Sequence, residues 1–173
     1  MAAAALTLAI VLALFAAVFF YLLPVARGAV YAASPPDKVQ LIAELSGAGP
    51  ADRAADLGSG DGRIVMALAR RGAEAHGFEI NPLLVLLSRR AVARAGLEGR
   101  AFIHWSSFWR ADLSAFDVVT LFQGSFVMRR LEAKVRRELH PGARVISDYW
   151  AFPSLPADRR VGTVYRYRLG APP

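Results

Sequence analysis

The chain has no cysteine among its 173 residues. Disulfides, Cys-based metal sites and thiolate nucleophiles are therefore excluded, and the composition fits a reducing compartment. Lysine is almost missing too: Lys38 and Lys134 are the two lysines, so arginine carries nearly all of a net charge of +7. Histidine is scarce. His76, His104 and His140 lie far apart along the chain, so they are expected to be structural and no metal site is expected. Charge is absent from Ala2 to Leu23, and this run supplies much of the 55% hydrophobic content. The remainder has the composition of an ordinary globular domain, long enough to bury one core.

A helix that crosses a bilayer needs about 20 apolar residues. Ala2–Leu23 meets that length, with its phenylalanines and Tyr21 toward the C-terminal end, where interfacial aromatics sit. No basic residue precedes the run, as a cleaved signal peptide would require, and no arginine lies within it, as a transit peptide would require. Residues 1–26 are thus expected to form a single-pass membrane anchor. Arg27 and the basic domain place the C-terminal side in the cytoplasm by the positive-inside rule. Basic charge beside a membrane is drawn to anionic headgroups. The alanine- and arginine-rich composition favours the inner membrane of a bacterium, with an organellar membrane as the alternative.

Residues 27–50 read as a linker and a short helix. Tyr31–Pro36 (YAASPP) has turn chemistry, Ser34 with Asp37 three residues on suggests an N-cap, and Lys38–Leu45 has helical spacing. From residue 51 onward strand and helix patterns alternate. Strands are expected at Ala54–Leu57, Glu74–Ile80, Ala101–Trp105, Phe116–Phe122 and Arg144–Ser147, with a sixth, antiparallel strand at Val161–Leu169. Helices are expected at Ile64–Arg71, from Pro82 to about Ala95, and at Phe126–Leu139. Such alternation implies an α/β fold, a Rossmann-like parallel sheet with helices on both faces.

The chemistry concentrates at one strand-to-helix junction, Asp56-Leu-Gly-Ser-Gly-Asp-Gly62. Glycines let the backbone turn sharply and approach a ligand, and the following helix points free N–H groups at it. Glu79, ending the second strand, is placed to accept hydrogen bonds from a ribose diol. Glycine loop and acid together indicate a nucleoside ligand. Charge narrows it further. Gly58, Gly60 and Gly62 form GxGxG rather than GxGxxG, and Asp56 and Asp61 are carboxylates that would repel a pyrophosphate. The same carboxylates favour a nucleoside that carries an ammonium and a sulfonium.

Asp56–Val65 (DLGSGDGRIV), Gly77–Leu84 (GFEINPLL), Asp117–Phe122 (DVVTLF) and Arg136–Ser147 (RRELHPGARVIS) resemble class I S-adenosylmethionine-dependent methyltransferases. More narrowly, residues 31–153 resemble the small membrane-anchored protein-lysine methyltransferases that modify the ATP synthase c-subunit and the adenine nucleotide translocase. The resemblance implies S-adenosyl-L-methionine as cofactor. Asp56, Gly58 and Gly60 would line its methionine end, with Ser59, Asp61, Gly62 and Thr120 in the same binding set. Glu79 would take the ribose hydroxyls, flanked by Ile80 and Asn81. Ser107 and Phe108 would meet the adenine, Ser107 standing where the family usually has an acid. Tyr31 and Ser34, in the YxxSPP segment, would fold over the cofactor. Phe122 stands where relatives commonly have tyrosine.

A lysine amine attacks only when neutral, which a partly desolvated aromatic site favours. Trp109, Phe122, Tyr149, Trp150 and Phe152 fall at or beyond strand ends on the cofactor side, and are candidates for a substrate channel. Asp112 and Asp148 are candidates to orient an amine. A membrane-protein substrate is expected from the anchor. A lipid or small-molecule acceptor, and a non-catalytic binding scaffold, are the alternatives. Nucleic acid is not expected, because Leu121-Phe122-Gln123-Gly124 occupies the place of the [N/D]PP[Y/F] motif of amino-group nucleic-acid enzymes.

Overall fold

A computed structural model describes residues 5–8, 10–12, 14, 15 and 34–170. The first of these are helical, with Leu6, Leu8, Ile10, Val11, Leu12, Leu14 and Phe15 exposed. No helix of the described residues is long and apolar enough to cross a membrane. Most of the expected anchor, and Tyr31, lie outside the described residues.

Seven strands form one sheet: β1 (Arg53–Leu57), β2 (Glu74–Glu79), β3 (Ala101–Trp105), β4 (Val118–Leu121), β5 (Arg144–Asp148), β6 (Arg159–Val161) and β7 (Val164–Arg168). Their order is β3-β2-β1-β4-β5-β7-β6. β1 to β5 pair in parallel, while β7 runs antiparallel between β5 and β6. The helices are α1 (Pro36–Ser46), α2 (Arg63–Arg70), α3 (Pro82–Arg94) and α4 (Ser125–Glu138). The central strands β1 and β4 are almost wholly buried, which is why they read as continuous apolar runs without alternation.

Two cores sandwich the sheet. One joins Ile42 and Leu45 of α1, Val65 and Leu68 of α2, and Val85 and Val92 of α3 to Ala54, Ile103 and Ile146 of the strands. The other sets Met128, Leu131 and Val135 of α4, with Leu113 and Phe116 of the preceding loop, against Leu57, Val119 and Tyr167. Truncating a fully buried leucine such as Leu68 costs about 2–5 kcal/mol, transfer and cavity terms together.

Three expectations are corrected. Ser34 does not cap α1: the N-cap is Pro35, no side chain caps the helix, and Pro36 starts it two residues earlier than expected. Prolines at the cap and first helical position remove amide donors that a serine would have served. The segment expected as one strand over Val161–Leu169 is a hairpin turning at Gly162-Thr163, because Gly162 adopts φ 57°. The histidines are not all apart. Parallel pairing of β2 with β3 sets His76 Nδ1 2.9 Å from His104 Nε2, in a stack with Phe78 and Phe102. Burial and the neighbouring His76 hold the His104 imidazole below its usual pKa.

Candidate active site

The site lies at the carboxyl ends of β1, β2 and β4, where an open parallel sheet binds ligands. The β1–α2 loop is held tightly. Gly58 N–H and Ser59 N–H both donate to Phe78 O of β2, at 2.9 and 3.2 Å. Gly58 has φ 84°, and a Cβ there would collide with Gln123 Nε2. Glycine is thus required on two counts, backbone conformation and close approach. Gly62, with φ 81°, is the N-cap of α2.

Two buried carboxylates bracket this loop. Glu79 is 5% exposed, and its oxygens accept from Gly60 N–H at 3.0 Å and from Asn81 N–H at 2.7 Å. Each oxygen keeps acceptor capacity for a further donor. Asp56 is 4% exposed and accepts from Thr120 Oγ1 at 2.7 Å, across the β1–β4 register. Burial pushes the Asp56 carboxyl up to about 7; the Thr120 hydrogen bond opposes this, and the nearby Glu79 and Asp61 charges add to it. Asp56 is thus poised to ionise when a cation arrives. Asp61 differs. It is half-exposed and paired with Arg63, with Nη2–Oδ2 at 2.5 Å. Burial by itself would raise its carboxyl, but the hydrogen bonds and charge of Arg63 together outweigh that and hold it low. Arg63 Nη1 also donates to Ser34 O at 2.5 Å, which ties the segment before α1 to the loop.

Gly58, Phe78, Glu79, Ile80, Ser107, Phe108 and Trp109 line one narrow cleft. Ser107 Oγ there accepts from Trp109 N–H at 3.4 Å, and Phe108 is buried. Asn81 caps α3, accepting from Leu83 N–H at 3.0 Å. The fold therefore gathers Ser34, Asp56, the 58–62 loop, Glu79, Ile80, Asn81, Ser107, Phe108 and Thr120 around one strand edge. Of the substrate candidates, Trp109 lines the cleft beneath Arg130, whose guanidinium lies 4.1 Å from the ring centroid. Phe122 is half-buried just after β4. Tyr149 is exposed after β5 and has φ 72°, held by its N–H bond to Thr163 O at 2.8 Å. Asp112 does not join them. It is exposed and accepts from Ser114 N–H at 2.9 Å, in a loop whose Leu113 bonds Glu138 at the far end of α4.

Three further groups take their contacts from the packing. Gln123 is buried: its Nε2 donates to Leu57 O at 2.7 Å and lies against Gly58, while its Oε1 has no hydrogen-bond partner among the described residues. Arg63 clamps the loop as described. Asp148, 1% exposed, accepts from Lys38 Nζ at 3.2 Å and Thr163 Oγ1 at 3.1 Å, while its Oδ2 has no hydrogen-bond partner among the described residues. Asp148 is a residue the sequence offers for orienting an amine, and Arg63 lies within the Asp56–Val65 motif, whereas the one signal for Gln123 is its position just beyond a strand in an alternating pattern.

Parallel β1–β5, an antiparallel β7 inserted beside β5, and a glycine loop with a buried acid ending β2 define a Rossmann-like methyltransferase sheet. A solved RNA methyltransferase from Salinibacter ruber, in complex with S-adenosyl-L-homocysteine, superposes with a TM-score of 0.79 at 34% identity, over 82% of this chain and 97% of that one. Within that class the family model for the ANTKMT methyltransferase domain matches residues 56–159, and the chain belongs to that family. The Mus musculus lysine N-methyltransferase named for the ATP synthase c-subunit is 41% identical over 120 residues, 67% of this chain and 49% of that protein. A protein-lysine N-methyltransferase of Saccharolobus islandicus is 34% identical over 119 residues, 68% of this chain and 74% of that protein. The chain spans about half the length of the mammalian relatives it matches.

Proposed function

We propose that the protein is an S-adenosylmethionine-dependent methyltransferase acting on lysine side chains of a membrane-associated protein. The observation that carries the cofactor reading is the pair of buried acids, Asp56 and Glu79, on either side of the glycine loop. The donor set fits. Asp56 suits the ligand's ammonium end, Glu79 a ribose diol, Ile80 and Phe108 the faces of a purine, and Ser107 its polar edge. The cofactor supplies a methyl group made electrophilic by a sulfonium. The chain's own part is to position the acceptor and exclude water. Trp109, Phe122 and Tyr149 are the residues we assign to the acceptor's approach.

Relatives named for the ATP synthase c-subunit and for the adenine nucleotide translocase support lysine as the acceptor. The uncharged run Ala2–Leu23 supports a single-pass anchor, with the domain on the cytoplasmic side. RNA is the second reading, favoured by the Salinibacter ruber neighbour and the +7 charge. Radiolabelled methyl transfer from S-adenosylmethionine to membrane fractions separates them. One small hydrophobic protein should be labelled, and the label should vanish with Asp56→Ala. Label in RNA would establish the second reading, label in lipid a lipid acceptor, and no label despite cofactor binding a non-catalytic scaffold.

A further inference from the structure

Among residues 34–170, the large apolar side chains left exposed are Leu83, Leu86, Leu87, Trp105, Phe126, Tyr149, Trp150 and Val161. They are far apart in sequence, yet all fall on one side of the molecule. Leu83, Leu86 and Leu87 occupy the first two turns of α3, which starts at the carboxyl end of β2. Trp105 ends β3, and its indole N–H is already bonded to Ile80 O at 3.1 Å, so the ring is fixed with its polar atom satisfied. Phe126 opens α4 just beyond β4, and Tyr149 and Trp150 follow β5. Val161 ends β6, which is parallel to β5. Every one is at or next to the carboxyl edge of the sheet, from β3 at one end to β6 at the other, with the candidate site between them.

Scattered single apolar residues need no explanation, but a collected set marks an interaction surface. The charge set behind it indicates the partner. On α3, Leu83, Leu86, Leu87, Arg90 and Arg94 fall at i, i+3, i+4, i+7 and i+11, one helical face with an apolar tip and a basic base. On α4, Phe126 is followed by exposed Arg129 and Arg130. Asp37, at the start of α1, is the exposed acid among the helix ends on this side. An apolar, aromatic front with arginine one or two turns behind matches acyl chains below and anionic headgroups above.

We infer that the carboxyl edge of the sheet is a membrane-docking surface, with Leu83, Leu86, Leu87 and Trp105 entering the interface of an anionic bilayer and Arg90 and Arg94 meeting its headgroups. The site then opens toward the bilayer surface. This extends the membrane placement proposed above and needs no methyl transfer.

The test uses the full chain in vesicles of phosphatidylcholine and phosphatidylglycerol whose acyl chains carry bromine, a contact quencher of tryptophan. Emission should fall about twofold against unbrominated vesicles, because an indole at the interface reaches the acyl region. The L83S/L86S/L87S variant, altered only at exposed positions, should keep its circular dichroism spectrum and lose most of the quenching. The R90E/R94E variant keeps the apolar tip and should lose quenching on the anionic vesicles alone. The inference is overturned by equal emission in the two vesicle types, or by a serine variant quenched like the parent. It is also overturned by a parent that sediments in detergent as a dimer which the serine variant dissociates, since the face then belongs to a second copy. No methyl donor or acceptor is present, so failure here leaves the proposed activity standing.

Discussion

The two edges of this sheet are built from opposite chemistry. At the amino edge the charges are paired. Arg53 bonds Glu74 at 2.9 Å, Asp117 accepts from Arg53 N–H at 2.8 Å and lies 3.2 Å from His140, and Arg144 reaches across to Asp52 and to Gly47 O. At the carboxyl edge polar capacity is left over. Asp148 Oδ2 and Gln123 Oε1 are buried without hydrogen-bond partners among the described residues, Asp56 is buried with a raised carboxyl, and apolar side chains stand in solvent. Unsatisfied buried polar groups and exposed apolar ones both cost stability. Their concentration at one edge, with the other edge stitched by ion pairs, separates the part of the fold that holds it together from the part that carries the candidate site.

That separation can be broken from either side. The largest effect is expected for Glu79→Ala. Losing a carboxylate that fixes Gly60 N–H and Asn81 N–H, and that is assigned the ribose, should cost about 1.5–3 kcal/mol of cofactor binding in calorimetry. Unchanged affinity would remove Glu79 from the site.

Next comes pH. Asp56 titrates near 7 when buried without a cation. Its neutral form predominates below that value, so cofactor affinity should rise about tenfold between pH 6 and pH 8 through this group. Asp56→Asn should abolish that part of the rise, and a parallel pH profile in the two proteins would contradict it. Stability moves in the opposite sense. An acid whose folded value is raised contributes most below its unfolded value near 4, and that contribution is lost as pH climbs to about 7.

The smallest effect belongs to the amino edge. Arg144→Met should lower unfolding stability by about 1 kcal/mol in denaturant titration, through the lost Asp52 and Gly47 contacts, and leave cofactor affinity unchanged. A loss of affinity would show that the two edges are coupled.

Much of this was legible in the sequence because it is local. The glycine loop, the acid ending β2, proline at the start of α3, and the alternation of strands and helices each follow from short-range spacing. β4 starts two residues later and ends one residue earlier than expected, because buried flanks blur the boundary. The C-terminal hairpin escapes a sequence reading because alternation continues across Gly162-Thr163 and no apolar break marks the turn. Asp112 is a carboxylate the sequence offers for orienting an amine, but its loop runs back down the face of α4.

By itself the sequence determined the fold class, the glycine loop and the acid opposite it, since glycine conformation and carboxylate charge act within a few residues. Only the tertiary structure decided which distant residues meet: Thr120 on Asp56, Gln123 against Gly58, Arg63 on Ser34, Lys38 on Asp148, and eight exposed apolar side chains along one edge. Those contacts depend on strand order and on which way each helix returns. They arise from burying two faces of one sheet, a requirement no single stretch of the chain expresses.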